Sequence, residues 1–372
     1  MCAKIVNSWT LRDIVAVSIT PHLNSDAAIK LIGQTEDFER FQVSPIVATV
    51  SSFYTENHIF DDKDKDIIAE ADRITKCCEE NGYQIVTFWS DNYPALLKHI
   101  QYPPIVLYVW GELQASDSPA IAIVGTRRCT LYGKMCTEHF AEVFAKAGII
   151  VVSGLATGID TYSHLNTIKN GGVTYAVIAS GLDKISPQTS LANAEKIIES
   201  GGAIITTHRP GVSAIPPFFL QRNRIISGIS KAVLVVESAF KGGSLNTARN
   251  AQEQNREVYA VPGNINAERS KGTNKLISRN VAAIALSPED ILKDLRLGNE
   301  TTLFSDTAKQ ALSLTATQAK ILEYIDSEPI GVDKIAELTG LNIQTILAEL
   351  LTLELLEVIR QLPGNNFVRF DM

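Results

Sequence analysis

The stretch AIAIVGTRR, residues 120–128, is an apolar run that ends in a polar, glycine-containing turn. After a helical stretch over residues 132–147 the pattern repeats, because IIVV at 149–152 continues into SGLATGID at 153–160. The loops after consecutive strands of a parallel sheet lie on the same carboxyl edge, so we expect both turns to face one site. Glycine lets a ligand approach the backbone, and free N–H groups at a helix start attract anions. The pattern therefore predicts a site for a phosphate-bearing ligand.

The alternation of apolar run and helical stretch continues to residue 291. Further runs rich in β-branched residues lie at 173–179, 203–206, 232–237, 258–261 and 282–286. Strands of this composition that alternate with helices indicate a parallel sheet covered on both faces. The prediction is an α/β fold, an extended Rossmann-like, doubly wound parallel sheet. Its domain is placed at residues 83–296, where a connector at 83–111, interrupted by prolines, is expected to add an edge to the sheet, and residues 116–119 mark the boundary that follows it.

Smaller domains are predicted on either side of this sheet. Residues 1–82 read as short helices of the SAM or helix-hairpin-helix kind, but the hairpin glycines and cations are missing, which favours a protein-contact or packing role over DNA binding. Residues 297–311 are polar and aperiodic and predict a linker. Residues 312–372 contain a capping-box pattern, three helices and a hairpin, which indicate a winged-helix domain. Its recognition helix, 342–353, has no Lys or Arg, so a protein contact is favoured there too.

Charge is distributed unevenly along the 372 residues. The net charge is −7, yet residues 1–118 carry −8, residues 119–296 carry +7 and residues 297–372 carry −6. A basic middle segment is compatible with a bound polyanion, although uneven surface solvation would give the same pattern. No apolar run approaches the roughly 18 residues of a membrane span, and the N-terminus has no signal-like core, so a cytoplasmic protein without a membrane partner is expected.

The five cysteines are odd in number and include no CxxC pair. We expect reduced thiols rather than a disulfide framework, and no metal site. The six histidines are scattered, without an HxxxH pair, and no GxSxG elbow positions a serine nucleophile. Phosphate-binding loops without an acid–base pair favour binding over chemistry. The protein is therefore predicted not to be an enzyme.

The first turn matches neither common nucleotide-binding motif. Gly133-Lys134 lies too far from Gly125 for a Walker A loop, Met135 stands where a magnesium-binding hydroxyl would be, and GxGxxG is absent. No cofactor is predicted. What remains is a turn of backbone donors with the guanidinium groups of Arg127 and Arg128, which can bind phosphates bidentately. A surface arginine pair without a ligand is the alternative.

Three more segments are predicted to contribute to the site. FFLQRNRII at 218–226 combines aromatic rings with arginines, as single-stranded nucleic acid requires, although one Phe and both Ile are expected in the core. KGGSLNT at 241–247 is a further glycine turn that suits an anion. In the second turn, Asp160 either caps a helix or orders the loop. The predicted nucleic-acid-binding residues are Gly125, Thr126, Arg127, Arg128, Ser153, Gly154, Gly158, Phe219, Arg222, Asn223, Arg224, Gly243 and Ser244.

Together these motifs resemble the bacterial DNA-processing protein A family, DprA or Smf. The matching segments are IVGTRR (123–128), SGLATGID (153–160), GLD (181–183), RNRIISG (222–228), GSL (243–245) and PG (262–263). The resemblance implies a Rossmann-like domain that forms a homodimer, binds single-stranded DNA and loads the RecA recombinase onto it during natural transformation. It places Thr126 and Arg127 in a phosphate pocket, and Phe219 and Arg222 in a stacking loop. The NYPALL connector (92–97) and both end domains fit the family's longer members.

The chain departs from the family pattern at two places. His208-Arg209-Pro210 stands where a Glu and a Pro usually follow the fourth strand, and Leu220 stands where a proline usually follows the Phe. Both changes concern the shape of the stacking loop rather than the pocket. Cytokinin-riboside phosphoribohydrolases, enzymes of similar topology, are the alternative, but residues 241–247 lack their third glycine and catalytic Glu. A scaffold with a vestigial nucleotide pocket is the third interpretation.

Overall fold

The computed structural model describes residues 9–20, 23–34, 64–297, 315–326, 328–355, 358–362 and 364–369. The chain divides into two compact units, Met1–Gly298 and Asn299–Met372. The first contains a large, mostly parallel sheet covered by helices, and the second is a winged helix. The predicted fold class is therefore confirmed. No described helix has the length and apolar character needed to span a bilayer.

Within the described residues, the sheet of the first unit has nine strands. They are β1 (Gln84–Thr87), β2 (Val106–Gly111), β3 (Ala120–Val124), β4 (Ile150–Ser153), β5 (Thr174–Val177), β6 (Ala203–Thr206), β7 (Ala232–Val235), β8 (Glu257–Ala260) and β9 (Ala283–Ile284). Their spatial order is β1-β2-β6-β5-β4-β3-β7-β8-β9. The pairs β1–β2 and β2–β6 are antiparallel and the remaining pairs are parallel. The connector thus adds the expected edge to the sheet.

The strand order reverses direction at β3. Strands β4, β5 and β6 follow on one side of it, whereas β7, β8 and β9 follow on the other. The topological switch point therefore lies between β3 and β7. In open α/β sheets the crevice beyond the carboxyl ends of the strands at such a point is where ligands bind.

Helices cover both faces of this sheet. They are α1 (Leu11–Ile19), α2 (Ser25–Gln34), α3 (Asp64–Glu80), α4 (Leu131–Lys146), α5 (Ile159–Lys169), α6 (Leu191–Glu199), α7 (Pro216–Ile229), α8 (Ser244–Glu253), α9 (Lys271–Ser278) and α10 (Pro288–Asp294). All five residues of β3 are buried. Ala122 in this strand belongs to the core beneath α7 and α8, whereas Ile121 belongs to the core beneath α4. Burial on both faces explains why the sequence of this strand is uninterruptedly apolar.

The described N-terminal helices pack on the edge of the same sheet. Trp9 and residues of α1 share a core with Tyr108 of β2 and Ile204 of β6. Thr10 and Asp13 form a capping box that starts α1. The sequence also predicts a short helix at residues 36–41, which lies outside the described residues.

The second unit contains α11 (Ala316–Leu322), β10 (Ile330–Gly331), α12 (Val332–Thr339), α13 (Ile343–Leu355), β11 (Ile359–Leu362) and β12 (Asn366–Arg369). Its strands pair in the order β10-β12-β11. The predicted capping box is present, since Thr315 and Gln318 bond reciprocally at the start of α11. Ile335, Ile346 and Leu350 are fully buried in a core that belongs to this unit alone.

Candidate functional site

A cavity of about 680 Å³ opens at the switch point, beyond the carboxyl ends of β3 and β7. Its walls come from the turn after β3, the first half of α7, the β7–α8 loop and the β8–α9 loop. The predicted site residues that line it are Gly125, Thr126, Arg127, Arg128, Phe219, Arg222, Asn223, Gly243 and Ser244. Ser153, Gly154, Gly158 and Arg224 do not line it. This volume is in the range of pockets that hold a drug-sized ligand.

The turn after β3 is anchored by its backbone and leaves its cations free. Thr126 N donates to the Glu237 carbonyl at 2.8 Å, which ties the turn to the end of β7. The Glu237 carboxylate accepts from Thr130 N at 2.8 Å and from Thr130 Oγ1 at 2.5 Å, and so supports the start of α4. Arg127 and Arg128 are exposed, and no carboxylate of the described residues lies within 4.0 Å of either. Both guanidinium groups are therefore available to an anion.

The second turn supports the first from beneath. Ser153 is fully buried and its Oγ donates to the Ile123 carbonyl at 2.6 Å. Gly158 has a φ of 80°, and a Cβ there would lie 2.4 Å from the Thr126 carbonyl oxygen, so only glycine fits this close approach. Asp160 Oδ2 accepts from Gly154 N at 3.2 Å and from Ala156 N at 3.4 Å. Of the two roles left open for Asp160, the structure shows the ordering of the loop.

Arg222 forms the buried floor of the cavity. Arg222 is 7% exposed, and its Nη1 donates to the carbonyls of Gly154 at 2.5 Å and Val177 at 2.8 Å. Burial raises the pKa of Asp160 and lowers the pKa of Arg222, and the opposite charge of each group counteracts the shift of the other. Because a guanidinium remains protonated in proteins, the floor of the cavity carries a fixed positive charge.

The two adjacent phenylalanines of α7 face different surroundings. Phe219 lines the cavity, with the guanidinium carbons of Arg127 and Arg222 at 5.5 Å and 5.9 Å from its ring centroid. These distances are those of cation–π pairs. Phe218 instead stacks on His208, with 4.2 Å between the ring centroids. The residue pattern alone did not distinguish the two rings, whereas the family resemblance placed Phe219 in the site, and Phe219 is the ring that lines the cavity.

Arg224 lies away from the cavity. Its Nη2 donates to the Gln101 carbonyl at 2.5 Å and to the Tyr102 carbonyl, and it thereby ties α7 to the connector. Burial lowers its pKa. Asn223 does line the cavity, and its Nδ2 lies 3.4 Å from Asn246 Oδ1.

The start of α8 completes the opposite wall. Among the described residues, the N–H groups of Gly243 and Ser244 have no hydrogen-bond acceptor, as is usual at the start of a helix. Ser244 Oγ donates to Ser238 Oγ at 2.9 Å, which holds this helix start against the end of β7. Free N–H groups and the positive end of the helix dipole favour an anion at this wall.

Sequence reasoning missed the contribution of the loop after β8. Arg269 lines the cavity, and its carbonyl accepts from Ser238 N at 2.7 Å. Glu268 also lines it but pairs with Lys271 at 2.5 Å, so the cavity remains net basic. The position of this loop, after the strand next to β7, was the available signal. No three His, Cys, Asp or Glu side chains in the described part of the chain are placed to share a metal ion.

The fold and the cavity define a Rossmann-like protein with a basic, aromatic-containing site at the switch point of its sheet. A family model described as DNA recombination-mediator protein A matches residues 84–296, and one described as DprA winged helix domain matches residues 305–365. Protein Smf of Escherichia coli (strain K12) is 37% identical over 298 residues, which are 78% of each chain. The chain therefore belongs to the DprA/Smf family, as the resemblance implied.

Other relatives agree with this assignment. DNA processing protein DprA of Bacillus subtilis (strain 168) is 37% identical over 253 residues, which are 68% of this chain and 84% of that one. The X-ray structure of Streptococcus pneumoniae DprA covers 77% of this chain and 98% of its own, with 28% identity and a TM-score of 0.62. A structure of Helicobacter pylori DNA processing protein A, described by its unique single-stranded DNA binding mode, covers 57% of this chain and 95% of its own, with 29% identity and a TM-score of 0.52.

Proposed function

We propose that this chain is a non-enzymatic protein that binds single-stranded DNA in the switch-point cavity. The observation that carries the proposal is the convergence of Arg127 and Arg222 on the ring of Phe219 in one basic cavity that Arg128 also lines. Single-stranded nucleic acid needs cations for its phosphates and an aromatic face for its bases. The Helicobacter pylori relative described as binding single-stranded DNA supports the same ligand here.

The geometry gives each group a role in this proposal. Arg127 and Arg128 bind phosphate oxygens from the exposed rim, where bidentate pairing is open to them. Phe219 offers its ring to a base, and Arg222 sets a positive potential on the floor without being displaced from its carbonyl partners. The free N–H groups of Gly243 and Ser244 donate to a phosphate at the far wall. Backbone and phosphate contacts of this kind carry little sequence preference.

The carboxylates around the cavity support a binding role rather than catalysis. Asp160 accepts from two backbone N–H groups, and Glu237 accepts from Thr130. Glu268 is paired with Lys271. Each of these acids already has a structural partner, and a general acid or base must instead reach a reacting proton. Incubation with AMP should release no adenine, and its release would support the phosphoribohydrolase alternative.

We further infer a cytoplasmic homodimer, formed through the Rossmann-like unit, that delivers the strand to the RecA recombinase in natural transformation and recombination. The delivery step rests on membership of the family. Support for the dimer comes from the edge strand β9, where Ile284 is 48% exposed, and from Leu286 just beyond it, which is 66% exposed. An open sheet edge with exposed aliphatic side chains is typical of an association surface.

Binding of the full chain to single- and double-stranded oligonucleotides of equal length tests the central claim. Fluorescence anisotropy should show tighter binding of the single strand, with a log–log salt slope near −0.7 for each phosphate neutralised. Equal affinity for both forms would refute a preference for the single strand, and tighter binding of the duplex would assign the protein to duplex DNA. No binding of either form at low salt would leave the scaffold interpretation.

A further inference from the structure

An exposed aromatic ring lies just outside the cavity. Phe240 is 48% exposed and belongs to none of the buried cores of the described residues. It is part of the β7–α8 loop, whose neighbouring residues Ala239 and Gly242 form the cavity wall. The ring therefore stands at the rim of the proposed DNA site and outside the hydrophobic cores of the described residues.

The contact between the start of α9 and the β7–α8 loop holds a cation over this ring. The Lys275 ammonium lies 4.0 Å from the Phe240 ring centroid. Gly272 N donates to the Ser238 carbonyl at 2.8 Å, and a Cβ at Gly272 would lie 2.6 Å from the Ser238 and Ala239 carbonyl oxygens. The first turn of α9 is thus seated directly on the loop that carries Phe240. Lys275, one turn later, is fixed beside the ring before any ligand arrives.

The cations of this region are not neutralised. No carboxylate of the described residues lies within 4.0 Å of Lys241, Lys275 or Arg279, whereas Lys271 pairs with Glu268. The segment Lys271–Ser278 contains no acidic residue. Arg279 is the residue that directly follows α9, four positions after Lys275, so the two follow one another on the same side of the helix, about 6 Å apart along its axis.

We propose that the strand bound in the cavity continues onto a second subsite formed by Phe240, Lys241, Lys275 and Arg279. One further base stacks on Phe240, and the phosphates beside it contact the three cations. The cavity itself has the size of a small-molecule pocket and holds only a short piece of strand, so a longer strand must leave it across the rim. This inference rests on the proposed function and extends it by giving the strand a path toward α9.

Oligothymidylates of two lengths separate the subsite from the cavity. A strand of about 6 nucleotides reports on the cavity, and one of about 15 nucleotides reports on the cavity and the subsite together. In the full chain, Phe240→Ala should weaken binding of the longer strand by about fivefold or more, the lower end of the effect of removing one stacked base. Phe240→Leu, which keeps an apolar side chain without a π face, should do the same. Phe240→Trp should retain the affinity, and the shorter strand should bind equally to all four proteins.

The cations are tested by the salt dependence of the longer strand. The double substitution Lys275→Gln and Arg279→Gln should make its log–log slope shallower by about 1.4, because two phosphate contacts are lost. Arg249→Gln is the matched control, since Arg249 is an exposed residue of α8 that pairs with Glu253 at 2.9 Å and lines no part of the site. Its slope should remain that of the unsubstituted protein.

Three outcomes would refute either the proposed function or the second subsite, and they are distinguishable from one another. If the unsubstituted protein binds neither strand, the proposed function fails. If it binds both strands, and Phe240→Ala and Phe240→Leu bind the longer strand as tightly as the unsubstituted protein does, the subsite is absent while the cavity assignment stands. If Phe240→Ala instead shifts the protein toward a smaller species in sedimentation and weakens both strands alike, the ring is a contact between subunits and the subsite is again refuted.

Discussion

The switch-point cavity and helix α13 of the winged helix are the positions where the two folds commonly bind ligands and DNA, respectively, and the residues at the two positions differ sharply. The cavity gathers Arg127, Arg128, Arg222 and Arg269. The exposed aliphatic residues of α13 are Ile343, Leu347 and Leu351, spaced one turn apart, and the helix has no Lys or Arg. A fold supplies a position, but the charge of the exposed residues decides whether that position suits phosphates.

The acids of the winged helix strengthen this contrast. Glu349 of α13 accepts from Gln318 Nε2 at 2.8 Å, and Glu354 accepts from Gln361 N at 3.0 Å. Both are engaged within their own unit, so the outward residues of α13 are mainly aliphatic and uncharged. This surface suits a protein contact, as the sequence led us to expect, and the remaining predictions test the division between a basic site on the first unit and an aliphatic α13.

The largest effect is expected from Arg222→Ala, which removes the buried floor of the cavity. The change leaves the carbonyls of Gly154 and Val177 without their donor and Asp160 without its nearby positive charge. Breaking such a buried charged network costs about 3 to 5 kcal/mol. Urea denaturation at neutral pH should show the free energy of unfolding falling by that amount. A loss below about 1 kcal/mol would mean that the guanidinium does not organise the floor.

Arg127→Ala should come next and should act on binding, because Arg127 is exposed and has no carboxylate partner among the described residues. Loss of a charge-assisted hydrogen bond predicts binding of single-stranded DNA weakened by about 1.5 to 3 kcal/mol. Anisotropy titrations measure this effect, and circular dichroism should confirm an unchanged fold. Arg249→Ala, at an exposed ion pair of α8, is the control. An Arg127→Ala protein with the original dissociation constant would remove the phosphate assignment from the first turn.

Adjacent phenylalanines allow a sharper test within one helix. Phe219→Ala should weaken binding by about 1 to 3 kcal/mol if a base stacks on the ring, with little change in melting temperature. Phe218→Ala should lower the melting temperature and leave DNA binding unchanged, because the Phe218 ring packs on His208 and does not line the cavity. If the two variants exchange these effects, the assignment of the rings is wrong.

The sequence was sufficient to predict the strands of the sheet but not to predict which residues of α7 face the cavity. Uninterrupted β-branched runs predicted the parallel strands because burial on both faces leaves no polar position. The sequence pattern groups Arg222 and Arg224 in one site, yet residues two apart on a helix point about 200° apart, so the two side chains cannot face the same site. Pro216 and Pro217 mark the start of α7, and a helix predicted from there would have separated the directions of the two arginines. Arg269 lies in an irregular loop, and no periodicity could place it.

The smallest effect is expected from removing the winged helix. A chain that ends at Gly298 keeps the whole first compact unit, including the β1–β2 edge and the described N-terminal helices. Residues 297–372 carry −6, so their loss removes repulsion from the strand. Charges are screened beyond about 8 Å at physiological salt, and the gain should therefore appear mainly at low ionic strength.

Titration of the intact and shortened chains with the same oligonucleotide, over a range of salt concentrations, measures this effect. Equal log–log slopes mean that the same phosphates are contacted in both proteins, which is the expected result. A shallower slope after truncation would mean that the winged helix also neutralises phosphates despite its acidic composition. Binding by the isolated segment 299–372 would have the same consequence, and the division between a DNA-binding cavity and an aliphatic α13 would no longer hold.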